Sequence, residues 1–151
     1  PSSAASDVYK RQLIYLEKIC RRIGEDPNVF ILTDYKGVRA LEVNAFQRAT
    51  TVALQMSLRE GFGLSVTEAL WKKVPVVARP AGGIRLQVID GVTGYLARDV
   101  DEAAKYVVHL IRNPKVREEL GENGHRHVKE NFIITKHLEN YLKIFADVLR
   151  N

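Results

Sequence analysis

Two carboxylates, Glu60 and Glu68, flank the glycine-rich stretch Gly61-Phe62-Gly63-Leu64 in this chain of 151 residues. The two acids are too far apart in sequence to share a proton, so they are expected to act as two separate acceptors for hydroxyl groups. Glycine permits a close approach of the backbone to a ligand and exposes its N–H groups. The stretch therefore predicts a site for a ligand that carries both hydroxyl groups and an anion.

The elements around this stretch are expected to position it at the edge of a sheet. The apolar run at 51–56 predicts a buried strand, and residues 69–73 continue a helical pattern. Open α/β sheets bind ligands outside the carboxyl ends of their strands. The amino terminus of the following helix is a favourable place for an anion.

A purely structural interpretation of the same residues is also open. Ser65, Val66, Thr67 and Glu68 fit the S-x-x-E capping box, in which the glutamate only caps its own helix. The two glycines then form an ordinary tight loop. The spacing alone leaves both interpretations standing.

The E-x7-E spacing between Glu60 and Glu68 resembles the donor-site motif of family 4 retaining glycosyltransferases with the two-domain GT-B fold. Further stretches similar to this family lie at residues 67–69, 75–77, 82–84 and 90–96. Others resemble its trehalose synthase branch, at residues 43–49, 55–57, 69–72, 82–87 and 131–137. The resemblance covers roughly residues 13 to 149.

This resemblance implies a doubly wound α/β domain with a mostly parallel sheet, the carboxyl-terminal half of a GT-B enzyme, over residues 13–151. Alternating strand and helix patterns agree with this class. The implied activity is transfer of glucose from a nucleotide diphosphate glucose to glucose, with retention, which makes trehalose. Alternatives are a trehalose phosphorylase, a family 4 enzyme with another acceptor, or a non-catalytic nucleotide-sugar-binding fragment.

The resemblance also assigns roles to residues of the motif. Glu68 is expected to bind the ribose hydroxyls of the nucleotide, and Glu60, the residue assigned to catalysis, is expected to touch the donor sugar. Gly61 shapes the turn, while the amides of Phe62, Gly63 and Leu64 face the sugar and diphosphate.

A second loop, Arg79 to Arg85, is expected to leave the same sheet edge as Glu60. Its glycines, Gly82 and Gly83, can then face the same ligand. Arg79 and Arg85 reach either a phosphate or an acceptor hydroxyl, or are solvated surface side chains. Most of the family carries a glutamate at the position of Leu86, so the generic pattern is broken there.

No metal site or cofactor is expected. Asp99-Val100-Asp101 matches the D-x-D metal motif of the other large glycosyltransferase fold, but it opens a helical pattern, and Asp99 with Glu102 fits a capping box. The four histidines lack the spacing of a zinc site. The nucleotide sugar is a substrate, so we expect no essential metal.

Composition narrows the class of protein. The net charge of +5 comes from interspersed charges without a long basic run or a nucleic-acid motif, so we expect no nucleic-acid partner. No run reaches membrane-spanning length and no secretory signal is visible, so we expect a cytoplasmic protein without a membrane partner. The single cysteine, Cys20, lies on a helical apolar pattern and is predicted to be packed.

Residues 1–12 lack the apolar periodicity of the helical pattern that begins at Leu13 and resemble a translated adapter scar, so we expect them to be non-native and disordered. On this view the chain is a fragment of a longer protein, and the amino-terminal GT-B domain that would be its partner lies upstream of it. The family places an arginine and a lysine on the diphosphate, upstream of Leu13, and nothing here matches them. We therefore expect the isolated chain to be inactive and to bind nucleotide weakly at best. A homodimer is compatible with the sequence.

Four further expectations concern the framework. Residues 29–32 predict a short buried strand. Residues 39–49 predict a helix with Leu41, Ala45 and Phe46 turned inward. Trp71 is predicted to be a core residue. An apolar stripe from Leu138 to Leu149 predicts a terminal helix whose apolar face is exposed when the partner domain is absent.

Overall fold

The structure, a computed structural model, describes the backbone of residues 3–150 and the side chains of residues 10–150. The chain divides into two compact units, one up to residue 41 and one from residue 42. The first unit contains helix α1 and a single 3-10 turn. The second contains the sheet and every residue assigned to the predicted site.

The elements alternate between helix and strand through the middle of the chain, as the sequence predicts. Their bounds are α1 Ser3–Ile23, α2 Ala40–Ala49, β1 Ala53–Gln55, α3 Leu64–Trp71, β2 Val76–Ala78, α4 Ile84–Gln87, β3 Gly94–Leu96, α5 Val100–Arg112, α6 Pro114–Asn131 and α7 Ile134–Arg150, with a 3-10 turn at Asp34–Lys36.

The sheet of the second unit has three parallel strands in the order β1-β2-β3 among the described residues. Ala53 is in register with Val76, and Val76 with Gly94. Each strand is joined to the next by a segment that contains a helix, α3 or α4. All strands therefore end at the same edge, and the loops after β1 and β2 emerge side by side.

Helices cover both faces of the central strand, because consecutive side chains of a strand point to opposite faces. Val76 and Ala78 pack in one buried cluster with residues of α3, α4 and α6, including Leu70. Val77 packs in a second cluster with Leu110 of α5 and other residues. A strand buried on both faces is typical of doubly wound α/β domains, so the predicted fold class is confirmed.

The capping box predicted at the start of α5 is confirmed by its hydrogen bonds. Asp99 is the amino-terminal cap of α5 and its carboxylate accepts from the Glu102 amide at 2.8 Å, while the Glu102 carboxylate accepts from the Arg98 amide at 2.7 Å. This is the predicted capping box in place of a D-x-D metal site. Pro114 occupies the first turn of α6, where its missing N–H is tolerated.

The amino-terminal unit differs from the sequence-based expectations. Helix α1 begins at Ser3, so the described part of residues 1–12 is helical; alanines, lysine and arginine in this part favour a helix. Whether residues 1–12 are native stays a prediction. The predicted strand at 29–32 is wrong, since these residues pair with no strand in the described chain and Val29, Phe30 and Leu32 are exposed. An extended segment without a hydrogen-bonding neighbour is not a stable strand.

Other side chains predicted to be buried are also exposed. Helix α2 has no buried residue, so the prediction that Leu41, Ala45 and Phe46 turn inward is wrong; all three are exposed because nothing in the described chain covers that stripe. Cys20 is an exposed free thiol, because α1 carries more apolar surface than its unit buries. Trp71 is 44% exposed and packs beside the His125 ring, with ring centroids 4.7 Å apart.

The terminal helix α7 has no buried residue. Its apolar stripe, which includes Tyr141, Phe145 and Leu149, is exposed as expected. No helix among the described residues is long and apolar enough to cross a membrane.

Candidate functional site

The glycine turn leads directly into helix α3. Gly63 is the residue that precedes the helix, and its φ of 88° lies in the left-handed region that favours glycine. The first hydrogen bonds of the helix, from the Val66 and Thr67 amides, go to the Gly63 carbonyl. The amides of Leu64 and Ser65 precede these bonds and lie at the positive end of the helix, where unpaired N–H groups attract anions.

The capping-box interpretation of Glu68 is not what the structure shows. The helix begins at Leu64, so Ser65 lies inside its first turn and cannot cap it. The Ser65 hydroxyl instead donates to Gln55 Oε1 at 3.1 Å. Glu68 accepts from the Gln47 side chain and caps no backbone amide. Its carboxylate is therefore not required to start its own helix.

The Glu60 carboxylate is held through one of its two oxygens. Oε2 accepts from Ser57 Oγ at 3.2 Å and from Gln55 Nε2 at 3.4 Å. Gln55 Nε2 also donates to Ser57 Oγ at 2.7 Å, which closes a small network at the end of β1. Among the described residues, Oε1 of Glu60 has no hydrogen-bond partner and is left to accept a hydrogen bond from a ligand.

Glu68 is held in the same way from helix α2. Its Oε2 accepts from Gln47 Nε2 at 2.8 Å. Lys72 Nζ donates to Gln47 Oε1 at 2.7 Å, which fixes the amide so that its NH₂ group faces the glutamate. Oε1 of Glu68 also lacks a hydrogen-bond partner within the described part of the chain. Both acids thus present one engaged oxygen and one open oxygen.

The two acidic side chains are linked by a common helix face. Ser65 and Glu68 are three residues apart on α3, so they lie on the same face, and Ser65 bonds the glutamine that holds Glu60. A cavity of about 120 Å³ lies here, lined by Gln47, Ala53, Leu54, Gln55, Ser65, Val66, Ala69 and Val76. Ligand pockets usually measure about 300–1,000 Å³, so this cavity by itself is smaller than an ordinary ligand pocket.

The second glycine loop packs directly against the first. The Gly83 amide donates to the Gly61 carbonyl at 2.7 Å. A Cβ atom built on Gly82 lies 1.8 Å from the Glu60 carbonyl oxygen, and one on Gly83 lies 2.8 Å from the Gly61 carbonyl oxygen. Only glycine fits at either position, so the structure brings the two predicted loops together.

The two arginines of the second loop have different environments. Arg85 Nε donates to the Pro80 carbonyl at 2.7 Å and so fastens its own loop. Arg79 Nε is buried and has no hydrogen-bond partner in the described chain. A contact of either arginine with phosphate or acceptor stays a prediction.

Three glutamines contact the predicted site residues, and sequence reasoning assigned a role to none of them. Gln47 holds Glu68, Gln55 holds Glu60, and Gln87 is fully buried between the turn and α3. The only sequence signal is that each lies in a stretch similar to the trehalose synthase branch. A lone glutamine has no motif spacing by which its role is recognised.

The described residues contain no group of three or more histidine, cysteine or acidic side chains that could hold a metal ion. Burial and the neighbouring Glu102 carboxylate raise the pKa of Tyr106 above its usual value, but this tyrosine is partly buried and packs against the second core cluster, away from the glycine turn. The expectation that no metal is essential stays a prediction.

Comparison with known proteins identifies the class to which this fold and these loops belong. Residues 31–127 match the family described as glycosyl transferases group 1, so the chain belongs to this family. It is 56% identical over 131 residues to the trehalose synthase of Thermococcus litoralis, a match that covers 87% of this chain and 32% of that protein. The chain thus spans about a third of the length of the curated relatives it matches.

Solved structures support the same fold. The carboxyl-terminal domain of the group 1 glycosyl transferase LpcC from Francisella tularensis superimposes with a TM-score of 0.62 at 25% identity, covering 88% of this chain and 66% of that one. Anabaena HepE in complex with UDP-glucose has a TM-score of 0.76 at 22% identity, covering 91% of this chain and 37% of that one. The domain therefore has the fold of the carboxyl-terminal half of GT-B glycosyltransferases.

Proposed function

We propose that this chain is the donor-binding half of a retaining glucosyltransferase that makes trehalose from a nucleotide diphosphate glucose and glucose. The observation that carries the proposal is that the carboxylates of Glu60 and Glu68 are hydrogen-bonded in the same way. Each has one oxygen held by a glutamine amide and one oxygen without a partner in the described chain. The identity to trehalose synthases supports the choice of product.

In this proposal the open oxygens accept hydroxyl hydrogen bonds from the donor. Glu68 binds the vicinal ribose hydroxyls, and Glu60 binds a hydroxyl of the glucosyl group and contributes to catalysis by orienting it. A charged acceptor forms stronger hydrogen bonds than a neutral one. The UDP-glucose bound to HepE supports a nucleotide sugar as the ligand class.

The diphosphate lies, in the same proposal, at the start of helix α3. The amides of Phe62, Gly63 and Leu64, with the positive helix end, stabilise the charge that develops on the phosphate as the sugar leaves. Gly82 and Gly83 keep the second loop close to this turn, so no side chain crowds the anion. Arg79 and Arg85 lie on that loop and are the cationic candidates for the phosphate.

The proposed chemical step is a displacement on one face of the sugar. The bond between the anomeric carbon and the phosphate oxygen breaks with both electrons leaving on oxygen, and an acceptor hydroxyl bonds to the same face of the carbon. The leaving phosphate oxygen takes the hydroxyl proton. The two described glutamates bind substrate in this account, and neither is a covalent nucleophile. A further arginine and lysine for the diphosphate are proposed to lie upstream of Leu13, and most acceptor contacts in an amino-terminal domain, so the isolated chain is proposed to be inactive.

The test is a titration of the chain with UDP-glucose, ADP-glucose and the corresponding diphosphates. Binding is monitored by NMR, which detects weak affinities. Glu68→Gln is expected to weaken both the sugar nucleotide and the diphosphate by about 10- to 100-fold, the worth of a hydrogen bond to a charged group. Glu60→Gln is expected to weaken only the sugar nucleotide. Glu119→Gln, an exposed glutamate on α6, is the matched control.

Unchanged affinity in both variants, or an equal loss in the control, contradicts the proposal. Neither glutamate caps a helix, so the thermal stability of both variants should match that of the wild type. The acceptor is tested in an enzyme completed with an amino-terminal GT-B domain. Trehalose formed from free glucose and the nucleotide sugar supports the proposal, whereas formation that needs glucose 1-phosphate supports the phosphorylase alternative.

A further inference from the structure

Gln87 is a polar side chain completely buried in the core beside the site. Its exposure is 0%, and among the described residues only Thr93 is another buried polar side chain. It is the last residue of α4, next to the buried Ile84 and Val88. Burying an amide costs free energy unless its hydrogen bonds are made, so the partners of Gln87 show what it holds.

The Gln87 amide bridges two parts of the site. Its Nε2 donates to the carbonyl of Phe62 in the glycine turn. Its Oε1 accepts from Thr67 Oγ1 at 2.5 Å, and Thr67 immediately precedes Glu68 on α3. The two partners fix the amide orientation, because a carbonyl can only accept and the reversed amide would place two oxygens together.

The position of Gln87 is itself fixed by the framework. The ring nitrogen Nε2 of His127, on α6, lies 2.8 Å from the carbonyl oxygen of Leu86, so the end of α4 is tied to a long helix. A Cβ built on Gly63 would lie 3.8 Å from Gln87 Nε2 and 3.2 Å from Ile84 Cγ1. The turn therefore rests on α4 with little space between them.

We infer that Gln87 is a positioning residue that sets the glycine turn relative to the helix bearing Glu68, and so fixes where the turn amides point. Without this bridge, Phe62 and Thr67 lose their common partner and the turn can tilt away from α3. The consequence for ligand binding rests on the proposed function, because those amides are assigned there to the sugar and diphosphate. The consequence for the turn itself does not.

The first test measures amide hydrogen exchange of the chain, without ligand. Gln87→Leu is expected to raise exchange of the Val66 and Thr67 amides, which donate to the Gly63 carbonyl of the turn, about 10-fold, the order expected when a buried hydrogen-bonded bridge is lost, while β2 stays protected. Thr67→Val removes one arm of the bridge and should raise exchange in the same residues by a smaller factor. Thr67→Ser keeps the hydroxyl and should behave as the wild type.

Val107→Ala is the control for general loss of stability, because Val107 packs on the second core cluster, on the other face of the sheet. The inference is overturned if Gln87→Leu and Thr67→Val leave exchange of the turn unchanged, or if Val107→Ala raises it equally. If Gln87→Leu does not fold, the Thr67→Val and Thr67→Ser pair decides the question.

A second test measures binding of UDP-glucose. Gln87→Leu is expected to lose about 10-fold in affinity, whereas Val107→Ala should lose none, although both are less stable than the wild type. A wild-type protein that binds no nucleotide sugar, either as this chain alone or completed with an amino-terminal GT-B domain, contradicts the proposed function, but the exchange measurement still decides the role of Gln87. If exchange rises as expected but the affinity for UDP-glucose is unchanged, Gln87 stabilises the turn without affecting the ligand. That outcome overturns the proposed link between Gln87 and ligand binding.

Discussion

The contact between the two glycine loops predicts a specific effect of Gly82→Ala. The added Cβ would lie 1.8 Å from the Glu60 carbonyl oxygen, and the backbone φ of +49° is one that alanine rarely adopts. Gly91 provides a matched control, because its φ is +71° but nothing lies within 4 Å of a Cβ there. The two substitutions share the backbone strain and differ in the clash.

The magnitude follows from these distances. Left-handed backbone costs an L-residue roughly 1–2 kcal/mol, and this is the whole expected effect of Gly91→Ala. In Gly82→Ala the carbonyl must also retreat by about 1.2 Å to reach the 3.0 Å limit of real contacts. Such a shift breaks the 2.7 Å bond from Gly83 to Gly61 and strains the packing, adding roughly 2–3 kcal/mol.

The assay is urea unfolding of the chain followed by circular dichroism, together with amide exchange of the turn. Gly82→Ala should lose about 3–5 kcal/mol and Gly91→Ala about 1–2 kcal/mol. Gly83→Ala, at a φ of −66° and a Cβ contact of 2.8 Å, isolates a milder clash and should lie between the wild type and Gly82→Ala. If the losses in free energy of unfolding caused by Gly82→Ala and Gly91→Ala agree within about 0.5 kcal/mol, the close approach of the loops is refuted.

Three further predictions concern single side chains. Asp99→Ala should destabilise the chain by about 1 kcal/mol in urea unfolding through loss of the α5 cap, whereas Asp101→Ala should change little. Hydrogen bonds from Lys143 and Lys136 lower the pKa of the exposed Glu139 to about 2. The contribution of Glu139 to stability is therefore complete above its usual pKa near 4.5 and is lost as the pH falls toward 2. An NMR titration of the Lys143→Met variant should show a higher pKa for Glu139. Gln47→Leu should weaken nucleotide binding several-fold with little change in thermal stability, because it frees the Glu68 carboxylate without removing it.

The fold class and the place of the glycine turn after a strand were predictable from local patterns. Alternating apolar runs and helical stretches predict a parallel sheet, and a glycine turn after a strand predicts the ligand edge. The capping box at Asp99 was also predictable, because it depends on residues three positions apart in one segment. The same kind of local pattern misled at Glu68, since the helix begins at Leu64 and makes that cap unnecessary.

Burial was less predictable because it depends on what packs against a segment. The apolar residues at 29–32 have the composition of a strand, yet no strand in the described chain pairs with them. The stripes of α2 and α7 have helical periodicity, but they face no covering surface among the described residues. Periodicity indicates which face of an element is apolar, and only the tertiary partner decides whether that face is buried.

The use of glutamine to hold both acids has an electrostatic consequence. A lysine or arginine in place of Gln47 or Gln55 would hold the carboxylates more strongly, but it would also neutralise much of their charge. The neutral amides orient Glu68 and Glu60 and leave that charge for a ligand. Lys72 donates to Oε1 of Gln47 and to the backbone carbonyl of Glu68, and no bond from it to the Glu68 carboxylate is present in the described chain. Oriented and charged acceptors suit the hydroxyl groups of a sugar and a ribose. The two glutamines therefore support the donor site proposed for Glu60 and Glu68.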